Sequence, residues 1–214
     1  MLRLLLAFVL IVMVKGEGCC PPKAWEGYAI TMAGLMKDGV PYSAKCFLTY
    51  HTNDTLGMIE MEGNITIDRW LTQKIRVIRD INKNLEYFIM DGRCSKKPMA
   101  RKILECISEN ASLVLNTYLG AGPEKLAVKV YRFIDGNIEV YSTVTSSACI
   151  PVVEVTTGIH PTTNAEFMEV SQLSGITIGV KDPSVFDIPS ICYSADISSD
   201  YVHIMSRWMP SGFY

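Results

Sequence analysis

Seven cysteines, three histidines and a few turn-like aspartates are the residues of this 214-residue chain with reactive or metal-binding chemistry. The cysteines are Cys19, Cys20, Cys46, Cys94, Cys106, Cys149 and Cys192. A zinc site asks for closely spaced pairs such as C-x-x-C with a second pair or histidines downstream, and only the adjacent Cys19 and Cys20 are near each other. Oxidation to structural disulfides is the chemistry that fits, and it belongs to an oxidising compartment. Because seven is odd, three bridges leave one thiol either free or available to a second chain.

Nothing comparable suggests catalysis. The G-x-S-x-G turn of a serine hydrolase is absent. His51, His160 and His203 are far apart, with no H-E-x-x-H signature. Isolated carboxylates such as Asp80 and Glu154 read as solvated or ion-paired groups. Gly120 and Gly122 precede a strand rather than a helix, so they do not form a phosphate cradle. The chain therefore reads as a non-enzyme. Calcium requires about six to eight oxygen ligands, and no EF-hand pattern supplies them. Asp38, Asp91 and Asp182 lie in turn-like segments, where an aspartate side chain ordinarily serves the turn itself.

Three Asn-x-Ser/Thr triplets, at Asn53, Asn64 and Asn110, become glycan acceptors if the chain is secreted. Its first residues indicate that it is. Arg3, the eleven-residue apolar run Leu4 to Val14, and the small residues Gly16 and Gly18 have the layout of a secretory signal peptide. A spanning helix needs about 20 apolar residues to cross roughly 30 Å of hydrocarbon, so the run is too short to be an anchor. The expected organisation is a signal peptide over 1–16 and a single extracellular domain over 17–214 that does not span a membrane. Cleavage would remove Arg3 and Lys15, leaving 18 basic against 22 acidic side chains, a formal charge of -4. With that balance and no basic run, nucleic acid is not an expected partner.

The elements expected to position these residues are mostly strands. Between Ile59 and Asp68 the odd positions Ile59, Met61, Ile65 and Ile67 are apolar, whereas the even positions Glu60, Glu62, Asn64, Thr66 and Asp68 are polar. This is the period-two pattern of a strand with one wet face, on which Asn64 falls. A hairpin is expected with Leu126, Val128 and Val130 on one arm, a turn at Asp135-Gly136-Asn137, and Ile138, Val140 and Val144 on the return. Tyr131, Phe133 and Tyr141 are expected to face away from these valines, so both sides carry apolar bulk, as in a sheet curled around a cavity. Further strands are expected over 28–33, 45–50, 74–78, 85–90, 150–155 and 170–180. Pro98, followed by Met99, Ile103, Cys106 and Ile107 at helical spacing, predicts one short helix packed on the sheet. About nine strands and one helix make an antiparallel sandwich or an open barrel.

The segment Gly179-Val180-Lys181-Asp182-Pro183-Ser184-Val185-Phe186-Asp187-Ile188-Pro189-Ser190-Ile191-Cys192 resembles the C-terminal signature of the ependymin-related proteins. Three shorter stretches follow that family's order. They are Cys19-Cys20-Pro21-Pro22 leading to Trp25-Glu26-Gly27, Asp91-Gly92-Arg93-Cys94-Ser95-Lys96, and Ala148-Cys149-Ile150-Pro151-Val152. The resemblance spans residues 19–192 and is closest to invertebrate members. It implies a mainly β fold in which two antiparallel sheets form a half-open barrel or sandwich around an apolar pocket. It also implies a secreted glycoprotein associated with calcium, cell-matrix adhesion or shell matrix.

The family's bridges carry over as Cys94 to Cys192 and as Cys149 to Cys19 or Cys20. Cys46 and Cys106 have no clear counterparts and are paired by elimination. The spare member of the Cys19-Cys20 pair would then be free to link a homodimer. The leading functional expectation is binding of an apolar or lipid-like ligand in the pocket. The alternative is a structural, calcium-binding role in extracellular matrix or at a cell surface. The tail over 193–214, with Trp208, Met209 and Phe213, is apolar enough to pack across the barrel mouth.

Overall fold

The computed structural model describes residues 18–68, 71–99, 106–159 and 164–195. The expected signal segment, His160, His203 and residues 196–214 of the apolar tail lie outside them. Among the described residues there are eleven strands: β1 (Ala24–Lys37), β2 (Val40–Asn53), β3 (Met58–Ile67), β4 (Leu71–Asp80), β5 (Leu85–Met90), β6 (Arg93–Pro98), β7 (Ser112–Ala121), β8 (Glu124–Asp135), β9 (Ile138–Thr145), β10 (Pro151–Ile159) and β11 (Glu166–Ile178). They form one antiparallel sheet in the order β6-β5-β4-β3-β2-β1-β11-β10-β9-β8-β7. Two meanders, β1 to β6 and β7 to β11, are thus zipped together where β1 pairs β11 from Trp25↔Ile178 to Met36↔Glu166. The two sheets expected from the sequence are one continuous, unclosed sheet, because that seam hydrogen-bonds the first strand to the last.

Local chemistry explains the hairpins. Asp38-Gly39 and Asp91-Gly92 join β1 to β2 and β5 to β6, with positive φ at both residues of each turn (51° and 75°, 50° and 69°). Asp tolerates this backbone region and Gly enters it freely, and the resulting turn matches the twist of the strands it connects.

On β3 the odd residues are buried as their spacing requires, with Ile59, Met61, Ile65 and Ile67 all in the core, and Asn64 is exposed. Glu60 departs from the expected wet face, being only 2% exposed. The β8–β9 hairpin also differs from its sequence reading. Its two-residue turn pairs Asp135 with Ile138, and therefore Phe133 with Val140 and Tyr131 with Ser142. Residues directly opposite each other point to the same side. Tyr131, Phe133, Ile138, Val140 and Val144 consequently share the inner face, and Val128, Val130 and Tyr141 share the outer one.

Pro98 ends β6 instead of opening a helix, and Cys106 and Ile107 are not helical. Ile107 forms an isolated antiparallel bridge with Cys19. The middle of the expected helix, residues 100–105, lies outside the described set. Helical structure among the described residues is confined to short 3-10 turns at Pro183–Phe186 and Ser190–Cys192.

Those turns belong to a strap that crosses the outer face of the sheet. The Lys181 amide donates to Glu26 Oε2 at 3.0 Å and the Lys181 ammonium lies 3.3 Å from Glu26 Oε1, contacts that hold the Glu26 carboxyl below its ordinary range. The Asp182 carboxylate accepts from the Ser184 amide at 3.0 Å, capping the first turn. Phe186 is buried, and Ile188 packs with Ile78, Tyr87 and Cys192. The strap ends at the Cys94–Cys192 disulfide. Underneath it, Arg76 donates from Nε to Glu60 at 3.0 Å and from Nη2 to the Val185 carbonyl at 2.7 Å, while His51 Nδ1 lies 2.9 Å from the other Glu60 oxygen. This cluster is why Glu60 is dry.

Two further disulfides tie the N-terminal segment down, Cys19–Cys149 and Cys20–Cys106. The pairing of Cys46 with Cys106 is therefore corrected. Cys46 is a free thiol on β2, buried against the inner side of the sheet. Cys19 and Cys20 are both used within the chain, so neither is the spare cysteine.

Candidate ligand-binding interior

The inner face is a continuous apolar surface contributed by most of the strands. It runs from Phe88 and Met90 on β5 through Ile75 and Val77, Ile59 to Ile67, Leu48 and Tyr50, Ala29 and Leu173 to Val140 on β9. The sheet curls enough to bring distant strands together. Trp25 of β1 and Phe133 of β8 line the same cavity of about 70 Å³, with Pro21, Ile107, Val144, Pro151 and Glu154. Cys19, Cys106 and Cys149 also border this cavity, so two disulfides hold its wall in place. The Trp25 ring stacks on Tyr50 with centroids 4.9 Å apart and planes at 20°. Burial pushes the Tyr50 hydroxyl well above its ordinary range, and the field of Glu154 adds to the effect.

A polar belt crosses this apolar face. Pairing aligns Cys46 with Thr31, Thr31 with Ser171, and Ser171 with Glu154; in the adjacent row Glu169 is opposite Thr156. The Thr31 and Ser171 hydroxyls are 3.0 Å apart, and Ser171 donates to Glu169 Oε1 at 3.3 Å. Thr156 is 1% exposed and its hydroxyl oxygen has no hydrogen-bond partner among the described residues. At the β6 end of the same face, Arg79 donates to Glu86 at 2.8 Å and Lys97 lies 3.1 Å from it. Burial alone would push Glu86 up, but the two cations outweigh it and hold the carboxyl below its usual range. An apolar surface with a few placed polar groups is the usual make-up of a small-molecule site, where the polar groups orient the ligand.

The belt contains no assembled nucleophile. Desolvation, with Glu169 nearby, pushes the Cys46 thiol up to about 12, so it is protonated at neutral pH. His51 is held on the outer face by Glu60. Because the folded-state value is raised, the contribution of this thiol to stability is complete below the ordinary thiol range and is lost as pH rises toward 12. A thiol reagent at neutral pH is expected to find no reactive cysteine in the folded, non-reduced protein and one after denaturation. Thr156→Val exchanges an orphaned hydroxyl for a methyl group and is expected to raise unfolding free energy by about 1 kcal/mol in the ligand-free protein, measured by urea titration.

Asp38 and Asp91 are in the β1–β2 and β5–β6 turns and Asp182 caps the first turn of the strap, so the three aspartates weighed for calcium belong to three separate segments. Among the described residues no three His, Cys, Asp or Glu side chains converge as a metal site would require. Asp80 is buried and bound by Lys83, through the amide at 3.0 Å and the ammonium at 2.8 Å. Asn64 and Asn110 are exposed, and Asn53 is half-buried with its side-chain carbonyl accepting from the Leu56 amide. Sequence reasoning missed the polar belt. The strand expected over 170–180 carries no assignment of faces; Glu169 lies before that span, and neither it nor Ser171 is singled out by the sequence as interior. The only signal available was that the β1 residue opposite Ser171 is a threonine between Ala29 and Ala33, in a row of otherwise apolar inner positions.

An unclosed antiparallel sheet curled over a stapled apolar interior defines a β-fold suited to binding small molecules. The family model described as Ependymin matches residues 70–192, more than half of the sequence, and the chain belongs to the ependymin family. It is 26% identical over 196 residues to Ependymin-related protein 1 of Haliotis asinina, a match covering 85% of this chain and 94% of that protein. Among solved structures it aligns with a DUF1329 family protein from Desulfovibrio piger, over 78% of this chain and 90% of the other, at 8% identity and a TM-score of 0.22. A superposition of that quality carries no argument about ligand or function. No helix among the described residues is long and apolar enough to cross a membrane.

Proposed function

We propose that this ependymin-family protein is a secreted, N-glycosylated binder of an apolar, lipid-like ligand, held against the inner face of the curled sheet without catalysis. The observation that supports this reading most directly is the continuous apolar inner face interrupted by a buried polar belt. At about 25 cal/mol per Å² of apolar area, burying roughly 300 Å² of an alkyl chain supplies on the order of 7 kcal/mol before the costs of association. No catalytic group is needed for retention of that kind. The disulfides favour an extracellular setting, and Asn64 and Asn110 are the acceptors whose exposure suits a glycan.

The test is mass spectrometry of organic extracts from the protein purified in its native secreted form, beside a glycosylated, disulfide-bonded secreted control of similar size. A reproducible stoichiometric lipid supports carriage and names the ligand class. No lipid, together with calcium-dependent retention on extracellular matrix, transfers the function to the structural alternative.

A further inference from the structure

The inner face carries its polar belt in two adjacent rows across the middle of the sheet. Strand pairing lines up Ser142, Glu154, Ser171 and Thr31 in one and Val140, Thr156, Glu169 and Ala33 in the other. The two rows hold two glutamates and no basic side chain, whereas Arg79 and Lys97 gather around Glu86 at the β6 end. Burial here is nearly complete, with Thr31, Thr156 and Ser171 each 1% exposed and Glu169 3% exposed. Thr31, Ser171 and Glu169 form a chain, the two hydroxyls 3.0 Å apart and Ser171 donating to the carboxylate at 3.3 Å. Thr156 stands directly opposite Glu169 and outside that chain, its hydroxyl without a hydrogen-bond partner among the described residues. A dry hydroxyl in that condition is costly, and buried polar groups persist where something else completes them.

Room for that partner lies alongside. The cavity of about 70 Å³ is bordered by Ser142 and Glu154, the neighbours of Thr156 on the same face, and by the apolar Trp25, Phe133 and Val144. It takes the end of a molecule and not its body. We infer, on the reading that the interior holds an apolar ligand, that these rows are its head-group subsite and that the head group is a neutral hydroxyl: the ligand is a long-chain alcohol and not a free fatty acid. A hydroxyl both donates and accepts. It accepts from the Thr156 O–H and donates to the Glu169 carboxylate across a strand pair whose Cβ atoms stand about 5 Å apart. An ionised fatty acid offers acceptors only, and its charge meets two glutamates with no basic side chain in either row. The field of Glu169 already reaches Cys46, whose thiol it helps to push up. A bare hydrocarbon would leave Thr156 as it is. Sites that hydrogen-bond a hydroxyl reject the analogue lacking it far more strongly than apolar pockets reject a change of one methylene group.

The experiment equilibrates the full-length secreted protein in turn with cyclodextrin-delivered octadecanol, stearate and octadecane, three chains of one length. Excess is removed by gel filtration, and bound lipid per chain is counted by mass spectrometry of extracts. The expected result is retention of octadecanol about tenfold above both others. Thr156→Val should lower the ratio of octadecanol to octadecane by about tenfold, although the same change stabilises the ligand-free protein. Glu169→Gln keeps an acceptor oxygen and removes the charge, and should bring stearate to within about threefold of octadecanol. Equal retention of octadecanol and octadecane overturns the inference and leaves the belt to bound water. So does stearate as the best-retained chain, or a ratio that Thr156→Val does not move. Retention of none of the three overturns the carriage reading itself and this inference with it, so the two failures are distinguishable.

Discussion

Replacing Cys94 and Cys192 together with serine is expected to lower unfolding free energy by about 4 kcal/mol, among the largest losses available in this chain. The bond closes a loop of 98 residues, and constraining a loop of that length in the unfolded chain stabilises the fold by roughly 4 to 5 kcal/mol in chain-entropy terms. It also anchors the strap. Without it, Phe186 and Ile188 keep their contacts only through the Glu26, Asp182 and Arg76 hydrogen bonds. Urea titration of the double variant gives the first effect. The second is read by limited proteolysis after Lys181, which should become faster than in the Cys20→Ser/Cys106→Ser variant. That variant loses a bond of similar span, 86 residues, that does not hold the strap. Equal cleavage rates would show that the strap stays down without its disulfide.

Glu60→Ala is expected to cost about 3 kcal/mol, because it leaves Arg76 beneath the strap without its counter-ion. The carboxylate is 2% exposed and is the point at which Arg76 and His51 converge. Glu60→Gln keeps the shape and one acceptor, and should lose less. Glu62 provides the control on the same strand and face. Its partner Lys74 is 73% exposed, and Glu62→Ala should cost no more than about 1 kcal/mol. Chemical denaturation of the three variants checks the order. If Glu60→Ala is as mild as Glu62→Ala, the cluster does not hold the strap.

The strands most legible in the sequence were those whose alternation matches a face with one environment throughout. β3 is a clear case, its Ile59, Met61, Ile65 and Ile67 expected on one apolar face and all found buried there. Alternation places residues on a face but does not say what covers it, which is why Glu60 read as wet. Nor does it say which face is inner, so Glu169 and Ser171 were not recognised as interior. β7 escaped notice because apolar side chains on both of its faces leave no period-two contrast, and β6 because half of its six residues are cationic and one is proline. The valines of the two β8–β9 arms were put on one face, whereas the two-residue turn places them on opposite faces, because register depends on the length of the turn and one residue of difference exchanges the faces. Pairing Cys46 by elimination failed because the adjacent Cys19 and Cys20 each reach a different loop, a geometry that only the folded chain reveals.

The strap also bears on how such proteins diverge. The segment 179–192, whose resemblance to the family's C-terminal signature is the longest in the chain, lies on the outer surface of the sheet and serves as a fastening, remote from the inner face. Interior side chains can therefore change without loosening that fastening. Shared ancestry recognised through residues 179–192 identifies a common chassis and leaves each member's chemistry to be read from its own interior.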